Sequence, residues 1–142
     1  MTDRILVALD HSEPAQAALK EALTRFTADQ LVVLHVLDTS EASHGMEGGA
    51  AGGWFEAKQE EAETLLEEAR TTAAEHGVTL ETEIETGRPA SVILDYVDDH
   101  GIDHVVMGSH GRSGLSRIIV GSVAEEVIRK SPVSVTVARD RR

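Results

Sequence analysis

No cysteine occurs among the 142 residues, which excludes disulfides, thiolate-held metals and thiol nucleophiles. Lysine is scarce as well: Lys20, Lys58 and Lys130 are the three, and the other ten of the 13 bases are arginines, set against 25 acids. A formal net charge of -12 makes most of the surface repel nucleic acid and anionic membranes. Two readings of that acidity stay open, a plain solubilising surface and an adaptation to high salt. No stretch approaches the length of a membrane span. The opening "MTDRILVALDHSEP" has no long apolar run and carries acids early, unlike a signal peptide. The expectation is a soluble, cytoplasmic protein with no nucleic-acid or membrane partner. Its length suits one domain, 1–142, with a self-sufficient core and no internal repeat.

Short apolar runs alternate with helical patterns along the chain. "RILVALD" (4–10), "LVVLHVL" (31–37) and "DHVVMGS" (103–109) read as strands buried on both faces. "VTLETEIET" (78–86) alternates with glutamate, as a half-exposed strand near a sheet edge does. "PVSVTVAR" (132–139) is the last strand. Ser12 is placed to cap a helix whose first turn accepts Pro14, with Ala15, Ala18, Leu19, Ala22, Leu23 and Phe26 as its buried stripe. A long helix is expected from about Trp54 to His76, stopped by Gly77; others follow at 88–101 and 122–131. Residues 38–53, with five glycines and no periodicity, read as a mobile loop. The order βαβαβαβαβ predicts an α/β fold: a single doubly wound domain, its five-stranded parallel sheet ordered 3-2-1-4-5 with helices on both faces.

In such a sheet ligands sit outside the carboxyl ends of the strands, where the winding reverses. That crevice is flanked by Asp10 after the first strand and Gly108 after the fourth. Two phosphate motifs are absent: no lysine follows the glycines of a GxxxxGK[ST] loop, and the first βα turn, "ALDHSEPA", has no glycine. A receiver domain is excluded too, because Lys130 precedes the last strand instead of following it. What stands there is Gly108-x-x-Gly111, nine residues, then Gly121-Ser122. Gly108 and Gly111 would let backbone N–H groups converge on an anion. Gly121 and Ser122 would open the last helix and present its unpaired N–H groups. Ser122 and Glu125 also fit a capping box. Arg112 and Arg117 bring positive charge to the crevice mouth, or are simply solvated. Asp10 suits a ribose hydroxyl or a Mg²⁺ shared with phosphate, and equally the acid that precedes a helix. His11, His35 and His110 could lie near one another around the crevice, but none has a metal-ligand spacing; His110 is a phosphate neighbour or merely exposed.

At this motif the chain resembles the universal stress protein family, in its nucleotide-binding branch. The likeness also takes in "ILVALDHSEPAQAAL" and "SPVSVTVAR". It departs from the family at His11, where many members have glycine, and in the glycine-rich loop. The resemblance implies an ATP site at Ala8, Asp10, Val36, Met107, Gly108, His110, Gly111, Arg112, Gly121, Ser122 and Val123, with Asp10 as the residue for Mg²⁺. In the family, Asp10's position contacts the nucleotide, the backbone at Val36 reads the adenine edge, and Met107's position lines base or ribose; Val36 and Met107 fit plain core positions as well. The family also implies a homodimer through the last strand (133–138). The implied role is an ATP-dependent stress-response module; the alternative is a slow ATP hydrolase, with Asp10 and His110 the candidates for orienting water.

Overall fold

Ile5, Leu6 and Val7 are buried in a strand that hydrogen-bonds along both edges, and the fold is built outward from it. A computed structural model describes residues 4–26, 30–39, 51–109 and 121–139. In chain order the elements are β1 (Arg4–Ala8), α1 (Glu13–Arg25), β2 (Gln30–Asp38), α2 (Ala51–Glu75), β3 (Leu80–Gly87), α3 (Pro89–Asp99), β4 (His104–Gly108), α4 (Ser122–Lys130) and β5 (Ser134–Ala138). All pairings are parallel and the sheet order is β3-β2-β1-β4-β5, as the alternating pattern predicts.

Side chains along each strand alternate between the two faces, and this parity divides the core in two. Ile5, Val7, Val33 and Val106 meet Ala18, Leu19 and Ala22 of α1 and Leu65, Leu66 and Ala69 of α2. Leu6, Val32, Val105 and Met107 meet Ile93 and Val97 of α3 and Ala124 and Val127 of α4. Helices therefore cover both faces. β3 is an edge strand, its burial falling away after Leu80, which fits its glutamate alternation.

Local signals set most helix ends. The Ala15 N–H donates to Ser12 Oγ at 3.2 Å, and Pro14 lies in the first turn of α1. Gly77, at φ +72, closes α2, with the Val78 N–H reaching back to the Ala73 carbonyl at 2.9 Å. The expected loop 38–53 gives way to regular structure at both ends. Asp38 completes β2, and Ala51, Gly52 and Gly53 belong to α2. Glycine disfavours helix, but extending a formed helix by one residue gains a hydrogen bond for each residue fixed, which offsets that cost. Residues 40–50, on which the expectation of mobility mainly falls, lie outside the described residues.

A Cβ built on Gly53 meets nothing within 4 Å. Gly53→Ala should therefore stabilise the protein by about 1 kcal/mol, the helix-propensity difference. A higher urea midpoint at unchanged slope is the expected result; an unchanged or lower midpoint would show that α2 does not hold this turn in solution.

Candidate functional site

A cleft of about 600 Å³ opens at the carboxyl ends of β1, β2 and β4. Its floor is Ala8 to Asp10 at the end of β1, Leu34 to Asp38 at the end of β2, and Met107 to Ser109 at the end of β4. The first residues of α4, Gly121 to Ala124, form one wall, beside Pro89 and Ile93 of α3. Ala8, Asp10, Val36, Met107, Gly108, Gly121, Ser122 and Val123, all expected from the sequence, thus come together. His110, Gly111 and Arg112, with Arg117, lie outside the described residues. Met107 satisfies both of its readings: it is buried in the core on the α3–α4 face and also lines the cleft.

The local geometry shows the backbone conformation at two of these glycines and corrects the expected cap. Gly108 has no positive φ. A Cβ there would stand 2.4 Å from the Pro14 carbonyl carbon and 2.6 Å from the Ala15 nitrogen. Its missing side chain is required by the close approach of β4's end to the first turn of α1. Gly121 is the N-cap of α4 at φ −65 and ψ 164, backbone open to any residue, so no left-handed turn demands glycine there. The capping box of Ser122 and Glu125 does not form, because Ser122 is already the first helical residue and no side chain caps the helix. Glu125 instead accepts from Arg129 Nη1 at 3.5 Å, and its N–H donates to the Gly121 carbonyl at 2.9 Å. With no side-chain cap, the first N–H groups of α4 have no acceptor within the helix and retain their pull on an anion.

Asp10 is exposed, and its Oδ1 accepts the Ser12 N–H at 2.8 Å. The turn that starts α1 therefore orients the carboxylate. His35 is buried and its Nδ1–H donates to the Leu9 carbonyl at 2.8 Å. The His11 ring stands edge-on to it, centroids 5.8 Å apart, so these two histidines do meet at the cleft. No group of three or more His, Cys, Asp or Glu among the described residues is arranged to hold a metal.

The profile of the universal stress protein family matches residues 1–139. The chain belongs to that family. Universal stress protein MJ0577 of Methanocaldococcus jannaschii is 33% identical over 155 residues, covering 98% of this chain and 96% of that one. The solved structure of MJ0577 superposes with a TM-score of 0.84 over 100% of this chain and 99% of its own. UspA from Lactobacillus plantarum, 32% identical, gives a TM-score of 0.81, covering 96% and 97% of the two chains. A family protein from Arabidopsis thaliana with AMP bound shares the fold, at 21% identity, a TM-score of 0.71 and coverage of 98% and 92%.

Trp54, Lys58 and Glu61 of α2 also line this family member's cleft, and the sequence reading missed them. Their i, i+4, i+7 spacing puts them on one helical stripe that continues into Leu65. That spacing, with the chain's one tryptophan inside it, was the available signal. A second unforeseen feature joins the cleft's two helical walls. Arg88, the N-cap of α3, donates from Nη1 to Glu126 Oε2 at 2.8 Å and to Ser91 Oγ at 2.8 Å, and its Nη2 bonds the other Glu126 oxygen. The hydrogen bond from Arg88 is the main reason that the Glu126 carboxyl lies at about 2 instead of 4.5, burial working the other way and Lys130 assisting.

A depressed carboxylate stabilises the fold above its unfolded pKa and loses that contribution as pH falls through the folded one. The Arg88–Glu126 contribution should be complete above about 4.5 and vanish toward 2. Glu126→Gln should flatten the fall of Tm through that acid window while the two proteins' profiles converge at its lower end. Parallel profiles throughout would show that the pair adds nothing.

Proposed function

We propose that this chain is an ATP-binding module of the stress response, whose nucleotide occupancy is its signal. The observation that supports this reading best is the convergence of Asp10, Gly108, Gly121 and Ser122 on one cleft at the reversal of the sheet. A volume of about 600 Å³ falls within the range of small-molecule sites. The phosphates would lie against the first N–H groups of α4, where the helix dipole favours negative charge. The backbone around Gly108-x-x-Gly111, His110, Arg112 and Arg117 would complete their cradle. The Asp10 carboxylate, oriented by the Ser12 N–H, would accept from ribose hydroxyls. The Val36 backbone, Ala8, Met107 and Val123 would border base and ribose. Mg²⁺ would be held chiefly by phosphate and water, with Asp10 contributing a protein ligand. A module that reads ATP works where ATP is, and we place it in the cytoplasm.

We also propose a homodimer formed by pairing β5 with its symmetry mate. β5 ends the sheet, and Val135 and Val137 are only partly buried. Such an edge offers unpaired N–H and C=O groups that natural proteins cover.

Two experiments test these assignments. Gly121→Val should keep the fold, since its φ suits valine; the poorer cap costs about 1 kcal/mol of a typical 5–15 kcal/mol. The valine branches would stand where the phosphates approach. Losing two charge-assisted hydrogen bonds of about 1.5–3 kcal/mol each predicts ATP affinity weaker by roughly a hundredfold or more. Calorimetric titration of both proteins, with circular dichroism confirming the fold, decides; equal affinities would remove α4's N-terminus from the site. For the dimer, sedimentation should find wild type dimeric at micromolar concentration and Val135→Lys monomeric. A monomeric wild type would refute the pairing.

A further inference from the structure

The chain has one Trp, one Tyr and two Phe, and three of these rings do not line the cleft. Tyr96 is buried on α3 and stacks on His100 with centroids 3.7 Å apart. Phe26 packs on His104, and Phe55 is 37% exposed. Trp54 alone of the four lines the cleft.

Its position follows from the way α2 lies on the sheet. Leu65, Leu66, Ala69 and Ala73 press into the core. Toward the helix's amino end the same stripe passes Glu61 and Lys58 to Trp54, and these face the cleft with Leu37 and Asp38 from the end of β2. The indole is half-buried and stands edge-on to Phe55, centroids 4.8 Å apart at 86°. A helix that merely closed the rim would be served as well by alanine or leucine, both better helix formers. Instead the largest apolar ring in the chain stands in a first turn already weakened by Gly52 and Gly53. Val36, Ile93 and Met107 line the same cleft with aliphatic surface. A planar base has an apolar face for such surfaces and a polar edge for strand-end backbone, and an aromatic side chain binds that face whatever the base's sequence of polar groups.

We propose that Trp54 is the cleft's stacking platform for the nucleotide base, so that the site prefers phosphate ligands carrying an aromatic base over bare polyphosphate. The inference rests on the nucleotide-binding reading above. Because Trp54 is the one tryptophan, its fluorescence reports on the site directly. Saturating ATP should quench or shift the emission of the wild-type protein, and inorganic tripolyphosphate should not. By calorimetry Trp54→Leu should weaken ATP about tenfold, leave tripolyphosphate binding unchanged, and be largely rescued by Trp54→Phe. An emission unmoved by saturating ATP overturns the proposal without recourse to any variant. Wild-type ATP affinity in Trp54→Leu overturns the stacking role and leaves the nucleotide reading intact. Equal loss of ATP and tripolyphosphate in that variant would reduce Trp54 to shaping the cleft, which also overturns it. No ATP binding by wild type would end both readings.

Discussion

β1 carries a partner on each edge, Leu6 lying opposite Val32 of β2 and Val105 of β4, and the rest of the molecule depends on that double pairing. Because right-handed crossovers run outward from it in opposite directions, α1 and α2 cover one face of the sheet and α3 and α4 the other. The two layers of helices part where β1 and β4 end, and the cleft occupies that parting. Leu6, Val7, Val32, Val33, Val105 and Val106 have no accessible surface at all. Each buried side chain of this kind contributes about 1.5–3 kcal/mol, so the strand ends that form the cleft floor rest on the driest part of the core.

The geometry of the fold and that of the cleft rest on the same few atoms. Gly108 lets β4 approach the first turn of α1, and the same turn sends the Ser12 N–H to Asp10 and receives the Ala15 N–H on Ser12 Oγ. A side chain at Gly108 would push that turn outward and carry the Asp10 carboxylate with it. The close approach therefore supports the site even without any contact between Gly108 and a ligand.

The walls are held by other means. Arg88 and Glu126 connect the start of α3 to α4 by charge-assisted hydrogen bonds, fixing the angle at which α4 aims its N–H groups. On the opposite side α2 extends past the apolar stripe that anchors it and lends Trp54 and Lys58 to the cleft. Lys58 is held by Glu61 at 3.5 Å. In a chain of net charge -12, a lysine placed there lessens the repulsion an anionic ligand would meet.

The amino-acid sequence by itself determined the alternation of strands and helices, the two buried faces, the sheet order and eight lining residues of the cleft. The elements and their order follow from the periods of two and 3.6 residues, which record which side of each element is buried, and from handedness, which leaves few ways to connect such elements. Asp10, Gly108, Gly121 and Ser122 follow from the winding reversal and the glycine spacing, and Ala8, Val36, Met107 and Val123 from the family resemblance. The start of α2 was misread since glycine's local preference was outweighed by propagation of a helix anchored farther along. The cap of α4 was placed one residue late because Ser122 is as good a capping residue as any, and only the backbone path shows that Gly121 occupies the position. Tertiary structure alone decided why Gly108 must be glycine, how Arg88 finds Glu126 across 38 positions, and how far the Trp54 stripe extends past the core to the cleft. Each of these depends on the distance between segments remote in sequence, and no local pattern carries that distance.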